Sequence, residues 1–182
     1  MSELASPAQL RASFLRWAVV LVPVVELLGF LSGRLGDDAT SPWFSSLVKP
    51  SIFPPPAVFG IVWSVLFALI ALALVLLITA RGARGRGAAI AAWIVTFVLI
   101  LGWSPVFFAG HRITAGLYLL FAIDVAALAA TILAYRVRPL AGALMAPFLA
   151  WVLFATVLNW QFLLANPAAD GGAASTVSVD LQ

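Results

Sequence analysis

The sequence contains no cysteine. Disulfide bonds, thiolate nucleophiles and thiolate metal sites are therefore excluded. It contains one histidine, His111, too few for a histidine-rich metal centre, and no metal site is expected. Charge is scarce as well: Asp, Glu, Lys and Arg make up 9% of the 182 residues, against about a quarter in soluble domains. So few charges could not cover a soluble surface of this size. What is abundant instead is apolar surface, with 64% of residues hydrophobic, and lipid is the solvent that suits it. The formal net charge of +3 comes from cations spread through short connections. It reads as a topology signal rather than as a nucleic-acid footprint, and no nucleic-acid partner is expected.

Five stretches reach the roughly 20 apolar residues that a spanning helix needs: about 17–33, 57–80, 88–108, 113–135 and 140–164. The expected fold is all-α, an integral membrane bundle of five transmembrane helices. The first run leads into Gly33-Arg-Leu-Gly-Asp-Asp38, which is no small-residue cleavage site, so it reads as an uncleaved span. Residues 1–16 form an N-terminal segment, 17–164 the membrane domain, and 165–182 a small, polar, flexible tail. The basic run Arg81-Gly-Ala-Arg-Gly-Arg-Gly87 separates the second and third spans. Gly110-His111-Arg112 separates the third and fourth, and Arg136-Val-Arg-Pro139 the fourth and fifth, with Pro139 suited to a helix start. The long connection, 34–56, is rich in proline and aromatic residues and reads as a lid-like loop.

Arg11, Arg16, Arg81, Arg84, Arg86, Arg136 and Arg138 lie on one side of this topology, and Arg34, Lys49 and Arg112 on the other. The positive-inside rule then puts the N-terminus in the cytoplasm and the C-terminus outside, in the periplasm for a bacterial inner membrane.

The same topology collects aromatic residues in the outer half of the bundle. Phe59 and Trp63 fall in the first turns of the second span, and Trp103 and Pro105 at the end of the third. Pro147, Trp151, Ala155 and Asn159 recur every four positions in the fifth, as one face. With Trp43, Phe44 and Phe53 from the loop, they outline an aromatic cleft for a flat, apolar, polycyclic ligand. Single Trp residues at a membrane boundary serve as anchors, and Trp17, Trp43 and Trp160 fit that role. Trp63, Trp103 and Trp151 fall inside spans and fit it less well. Glu26 and Asp124 are acidic residues within spans, where a carboxyl faces the bundle interior as a proton or ligand site, or as a hydrogen-bonded structural group. Gly29 and Gly33 form a small-xxx-small pattern for close helix packing, within the bundle or in a homodimer. His111 reads as a solvated loop residue. Leu133 to Arg138 fits a loose sterol motif that many sequences match by chance.

Three blocks carry a family resemblance. They are Trp43-Phe-Ser-Ser-Leu-Val-Lys-Pro-Ser-Ile-Phe-Pro-Pro55 followed by Phe59 and Trp63; Trp103-Ser-Pro-Val-Phe-Phe108; and Pro147-Phe-Leu-Ala-Trp-Val-Leu-Phe-Ala-Thr-Val-Leu-Asn159. The chain resembles the TspO/MBR family of tryptophan-rich sensory and translocator proteins. Ile52 stands where the family has Trp, Ile100 where it has Asn, and Phe148 where it has Tyr. Trp160 follows Asn159 in place of Tyr, with no cation after it. The resemblance implies a five-helix fold, often dimeric, that needs no cofactor and takes a porphyrin as ligand, with sterol, lipid or drug-like compounds as other apolar partners. It implies ligand contacts at Trp43, Pro54, Pro55, Phe59, Trp103, Ala155 and Asn159, beside the neighbouring Phe44, Pro105 and Phe148. Trp63 and Trp151 match the positions proposed for light-driven porphyrin breakdown. Three functions follow as expectations: a porphyrin-binding receptor or sensor, a transporter of tetrapyrroles or other amphipathic molecules, and a light- and oxygen-dependent porphyrin-degrading enzyme. The first is the favoured reading.

Overall fold

A computed structural model describes residues 6–35 and 39–171. Five of its helices are long and apolar enough to cross a membrane: α1 (Pro7–Ser32), α3 (Pro56–Thr79), α4 (Arg86–Ser104, continued by a wider turn), α5 (Ile113–Val137) and α6 (Pro139–Ala165). A short α2 (Pro42–Ser46) lies in the long connection. No strand occurs among the described residues. The protein is an all-helical, multi-pass membrane protein.

The helix ends follow local chemistry. Helix α1 begins at Pro7, ten residues before the apolar run, because Ser6 caps it. The Ser6 hydroxyl accepts from the Gln9 backbone N–H at 3.3 Å, and the Gln9 side chain accepts from the Ser6 N–H at 2.7 Å. Pro7 then supplies the preset φ of a first helical residue. Most of the segment expected to precede the first span is thus part of its helix. Between α5 and α6 the chain breaks at Arg138 alone, whose extended backbone (φ −148°, ψ 116°) is what a following proline enforces. Pro139 opens α6 as expected.

Pro105 shapes the end of α4. Proline has no N–H, so the chain widens over Pro105–Ala109 into a π-turn, and Gly110 donates to Pro105 O at 2.9 Å. The Leu101 carbonyl, which Pro105 cannot serve, accepts instead from the hydroxyl of Ser32 at the end of α1. A backbone group that lipid could not satisfy becomes a tie between two spans.

Helix α6 packs on α5 and α3, α4 on α5, and α1 chiefly on α3. The core runs through α3, α4, α5 and α6 with Ile70, Leu77, Ile123, Met145 and Phe148 fully buried. Trp93 belongs to it, stacked on Phe97 and donating to Ile70 O at 2.9 Å. Helix α1 sits at the edge and turns Val19, Val20, Leu27 and Phe30 outward. Its Gly29 is spent within the chain, since a Cβ there would meet the Phe67 ring of α3 at 2.2 Å.

Candidate functional site

Aromatic rings from the loop, α3, α4 and α6 form one continuous ladder in the half of the bundle remote from the arginine-rich turns. At its outer end Trp43 meets Phe107 edge-on at 5.6 Å, and Phe44 touches Phe53, Phe107, Phe108 and Phe162 at 5.2–6.3 Å. Trp103 stacks on Phe107 at 4.9 Å. The π-turn makes this possible, because it puts both Phe107 and Phe108 against the Trp103 ring. Phe53 passes the ladder to Phe59 at 5.3 Å, and Phe59 meets Trp151 at 5.9 Å. Trp63 then stands perpendicular to Trp151 at 6.4 Å and meets Phe148 edge-on at 6.3 Å. Edge-to-face pairs of this kind are worth about 0.5–1.5 kcal/mol each beyond the area they bury.

This half of the bundle therefore holds rings in mutual contact, where the sequence suggested an open cleft. Phe44, Phe107 and Phe162 are buried, whereas Phe59, Trp63, Trp103 and Trp151 are half-buried. Phe148 is wholly buried beneath Trp63. Pro54 and Pro105 are half-buried and Pro55 is exposed.

The four-residue repeat on α6 does not form one face. Four residues overshoot a 3.6-residue turn by about 40°, and three such steps accumulate about 120°. Pro147 is exposed, Trp151 turns to Phe59 and Trp63 of α3, and Asn159 turns to α5, where its Nδ2 donates to Ile113 O at 2.9 Å. Ala155 lies half-buried between these directions.

Three polar atoms within the ladder are buried and make no hydrogen bond within the described protein: Trp103 Nε1, Trp151 Nε1 and Asn159 Oδ1. The first and last converge on Gly116, where a Cβ would lie 3.4 Å from Trp103 Nε1 and 3.1 Å from Asn159 Oδ1. Apolar walls with a few unsatisfied polar atoms have the chemistry of a site for a flat, largely apolar molecule with polar edges.

The two intramembrane acids are held by different helix pairs. Asp124 of α5 accepts from the Thr156 hydroxyl of α6 at 2.8 Å. Glu26 is half-buried on α1, which packs chiefly on α3. Nothing in their placement joins them into a relay.

The loop is clasped down by residues that sequence reasoning passed over. Asn166, just beyond α6, accepts from Val48 N at 2.7 Å and donates to Val48 O at 3.0 Å. Trp43 Nε1 donates to Ala169 O at 3.3 Å, and Asp170 accepts from Thr114 N at 3.1 Å. Residues 165–171 are thus structured rather than a free tail, while 172–182 lie outside the described residues. His111, expected in solvent, stacks on Trp43 at 4.5 Å with a left-handed backbone (φ 53°). The Lys49 ammonium donates to the carbonyls of Phe44 and Leu47 and lies 4.3 Å over the Phe44 ring. Burial pushes it below the usual lysine range. An Asn-Pro step after a long apolar run was the one available signal for Asn166.

The TspO/MBR family model covers residues 19–164. This chain belongs to the TspO/MBR family. Relatives in the TspO/MBR family include the translocator protein of Homo sapiens, 34% identical over 79% of this chain and 86% of its own length. Protein CrtK of Rhodobacter capsulatus is 31% identical over 69% of this chain and 79% of its own length. The tryptophan-rich protein TspO of Chlorobaculum tepidum is 32% identical over 77% of this chain and 89% of its own length. As a TspO/MBR member the chain is related to translocator and tryptophan-rich sensory proteins.

Proposed function

We propose that this protein is a membrane receptor or sensor that takes a porphyrin, or a similarly flat apolar ligand, at the Phe59, Trp63, Phe148 and Trp151 end of the aromatic ladder, and so informs tetrapyrrole handling or a stress response. The observation that carries this reading is the Trp63–Trp151 contact at 6.4 Å. Both rings are half-buried, so a flat molecule can replace their mutual edge-to-face contact with stacking on either. The Trp151 Nε1 then offers a donor to an acceptor on the ligand's edge. Porphyrin is the ligand, and no resident cofactor is required. The excess of arginine on the turns between α3 and α4 and between α5 and α6 supports a bacterial inner-membrane setting with the N-terminus in the cytoplasm and this site on the periplasmic side.

The test is a dark titration of the detergent-solubilised protein with protoporphyrin IX, followed by Trp fluorescence. Saturable quenching is expected. Trp63→Phe and Trp151→Phe should each weaken affinity roughly fivefold, the worth of about 1 kcal/mol of aromatic contact, while Trp160→Phe, on the exposed side of α6, should leave it unchanged. Wild-type affinity in both pocket variants would refute the site. Illumination of the same sample addresses the degrading reading, since it alone requires porphyrin absorbance to fall faster with wild type than with the Trp63→Phe/Trp151→Phe double variant.

A further inference from the structure

The opposite end of the molecule carries a feature that the aromatic site does not use. A trough runs along the α5–α6 hairpin, lined by Thr131, Ile132, Tyr135, Arg136, Ala143 and Ala146. Its floor is Gly142, where a Cβ would lie 2.5 Å from Tyr135 Cβ, so the two backbones touch and no side chain rises between them. Tyr135 and Ile132 of α5 are exposed and form one wall. On α6 the exposed Ala143 and Ala146 leave the other side low. The Thr131 hydroxyl is satisfied by Ala127 O at 2.7 Å, so it makes no demand on an occupant. At its mouth stands Arg136, exposed, in the last turn of α5.

Charge decides what fits. Arg138 follows within two residues, and the α3–α4 turn, which carries Arg81 and Arg84, reaches the end of α5 at Gly85, where a Cβ would lie 3.9 Å from the Val137 side chain. Arg86 of that turn is engaged with the carbonyls of Leu77 and Ile78 at 3.0 Å. Among the described residues the acidic side chains are Glu26, Asp124 and Asp170, and none lies at this end. An apolar trough parallel to the helices with a guanidinium at its boundary end matches an acyl chain joined to an anionic headgroup. Arginine is the side chain whose planar fork suits a phosphate, and Tyr135 beside it is the residue type that settles at headgroup depth.

We infer that the α5–α6 trough is a site for one anionic glycerophospholipid, its phosphate on Arg136 and an acyl chain against Ile132, Ala143 and Ala146. A sterol, which the Leu133 to Arg138 pattern also brings to mind, would leave the guanidinium without a counter-charge.

The test is native mass spectrometry of the full chain in detergent with equal mole fractions of phosphatidylglycerol, phosphatidylcholine and cholesterol. One phosphatidylglycerol is expected to remain bound preferentially. Arg136→Gln should reduce its retention roughly fivefold, the worth of one arginine against an anionic surface. Ala146→Leu, which fills the trough without altering charge, should reduce it as well. Arg16→Gln, on α1 and away from the trough, should leave it unchanged. The inference is overturned by equal retention of phosphatidylcholine, by preferential retention of cholesterol, by wild-type behaviour of the Arg136 and Ala146 variants, or by an equal loss in the Arg16 variant, which would mark diffuse attraction. All of these leave protoporphyrin titration at the other end unaffected.

Discussion

Lys49 shows how one cation can organise a loop at a membrane boundary. Its ammonium closes the Phe44–Leu47 turn through two carbonyls and covers the Phe44 ring, so the loop delivers Phe44 into the aromatic ladder with its backbone satisfied. The same burial lowers its proton affinity relative to the unfolded chain. Between the lowered value and the ordinary lysine value the unfolded state therefore binds more protons, and stability rises with pH. Wild type should gain stability on going from neutral pH toward the ordinary lysine range, and Lys49→Met should lack that increment. Chemical denaturation across that range, comparing the two slopes, checks it, and parallel slopes would deny Lys49 the role. Individual residues were legible to different depths in the sequence. Trp63 and Trp151 could be placed because each lies inside a span near the same boundary. His111 and Asn166 could not, since stacking on Trp43 and pairing with Val48 depend on segments far apart in the chain.

At the scale of elements, hydropathy located all five spans but not their ends, because ends are set by hydrogen bonding rather than by apolar content. Ser6 and Gln9 start α1 in a polar stretch, and Pro105 converts the last turn of α4 into a wider one. Four-residue spacing on α6 misled for the same kind of reason: a small angular error per turn became a change of helix face, and Trp151 and Asn159 parted. The loop between α1 and α3 is the element whose order depends on another. Val48 is held by both ends of the Asn166 amide, and that residue is buried. Asn166→Ala removes both bonds, and a loss of about 1–3 kcal/mol is expected from unpaired backbone groups in a partly dry site. The loss should be local. Hydrogen exchange should accelerate over residues 42–49 while α5 and the middle of α6 keep their protection. Uniform acceleration throughout would mean that the clasp supports the bundle rather than the loop.

At the scale of the whole molecule, the two ends carry different chemistry. One holds the aromatic ladder beneath the clasped loop, the other the arginine turns and the α5–α6 trough. The proposed orientation, with the arginine turns in the cytoplasm, rests on the positive-inside rule, a statement about insertion rather than about packing. Because the chain has no native cysteine, orientation can be read from single substitutions without a background to remove. Ser46→Cys places a thiol on the exposed side of α2, and Ala83→Cys places one in the turn between α3 and α4. In intact bacterial cells whose outer membrane has been permeabilised, a membrane-impermeant maleimide should label the Ser46→Cys variant at once. It should reach the Ala83→Cys variant only after the inner membrane is breached. The opposite pattern would invert the topology and move the aromatic site to the cytoplasmic face. The helix packing and the ring contacts would be unchanged by that inversion, so the ligand chemistry argued for Trp63 and Trp151 would survive it, while the side from which a porphyrin arrives would not.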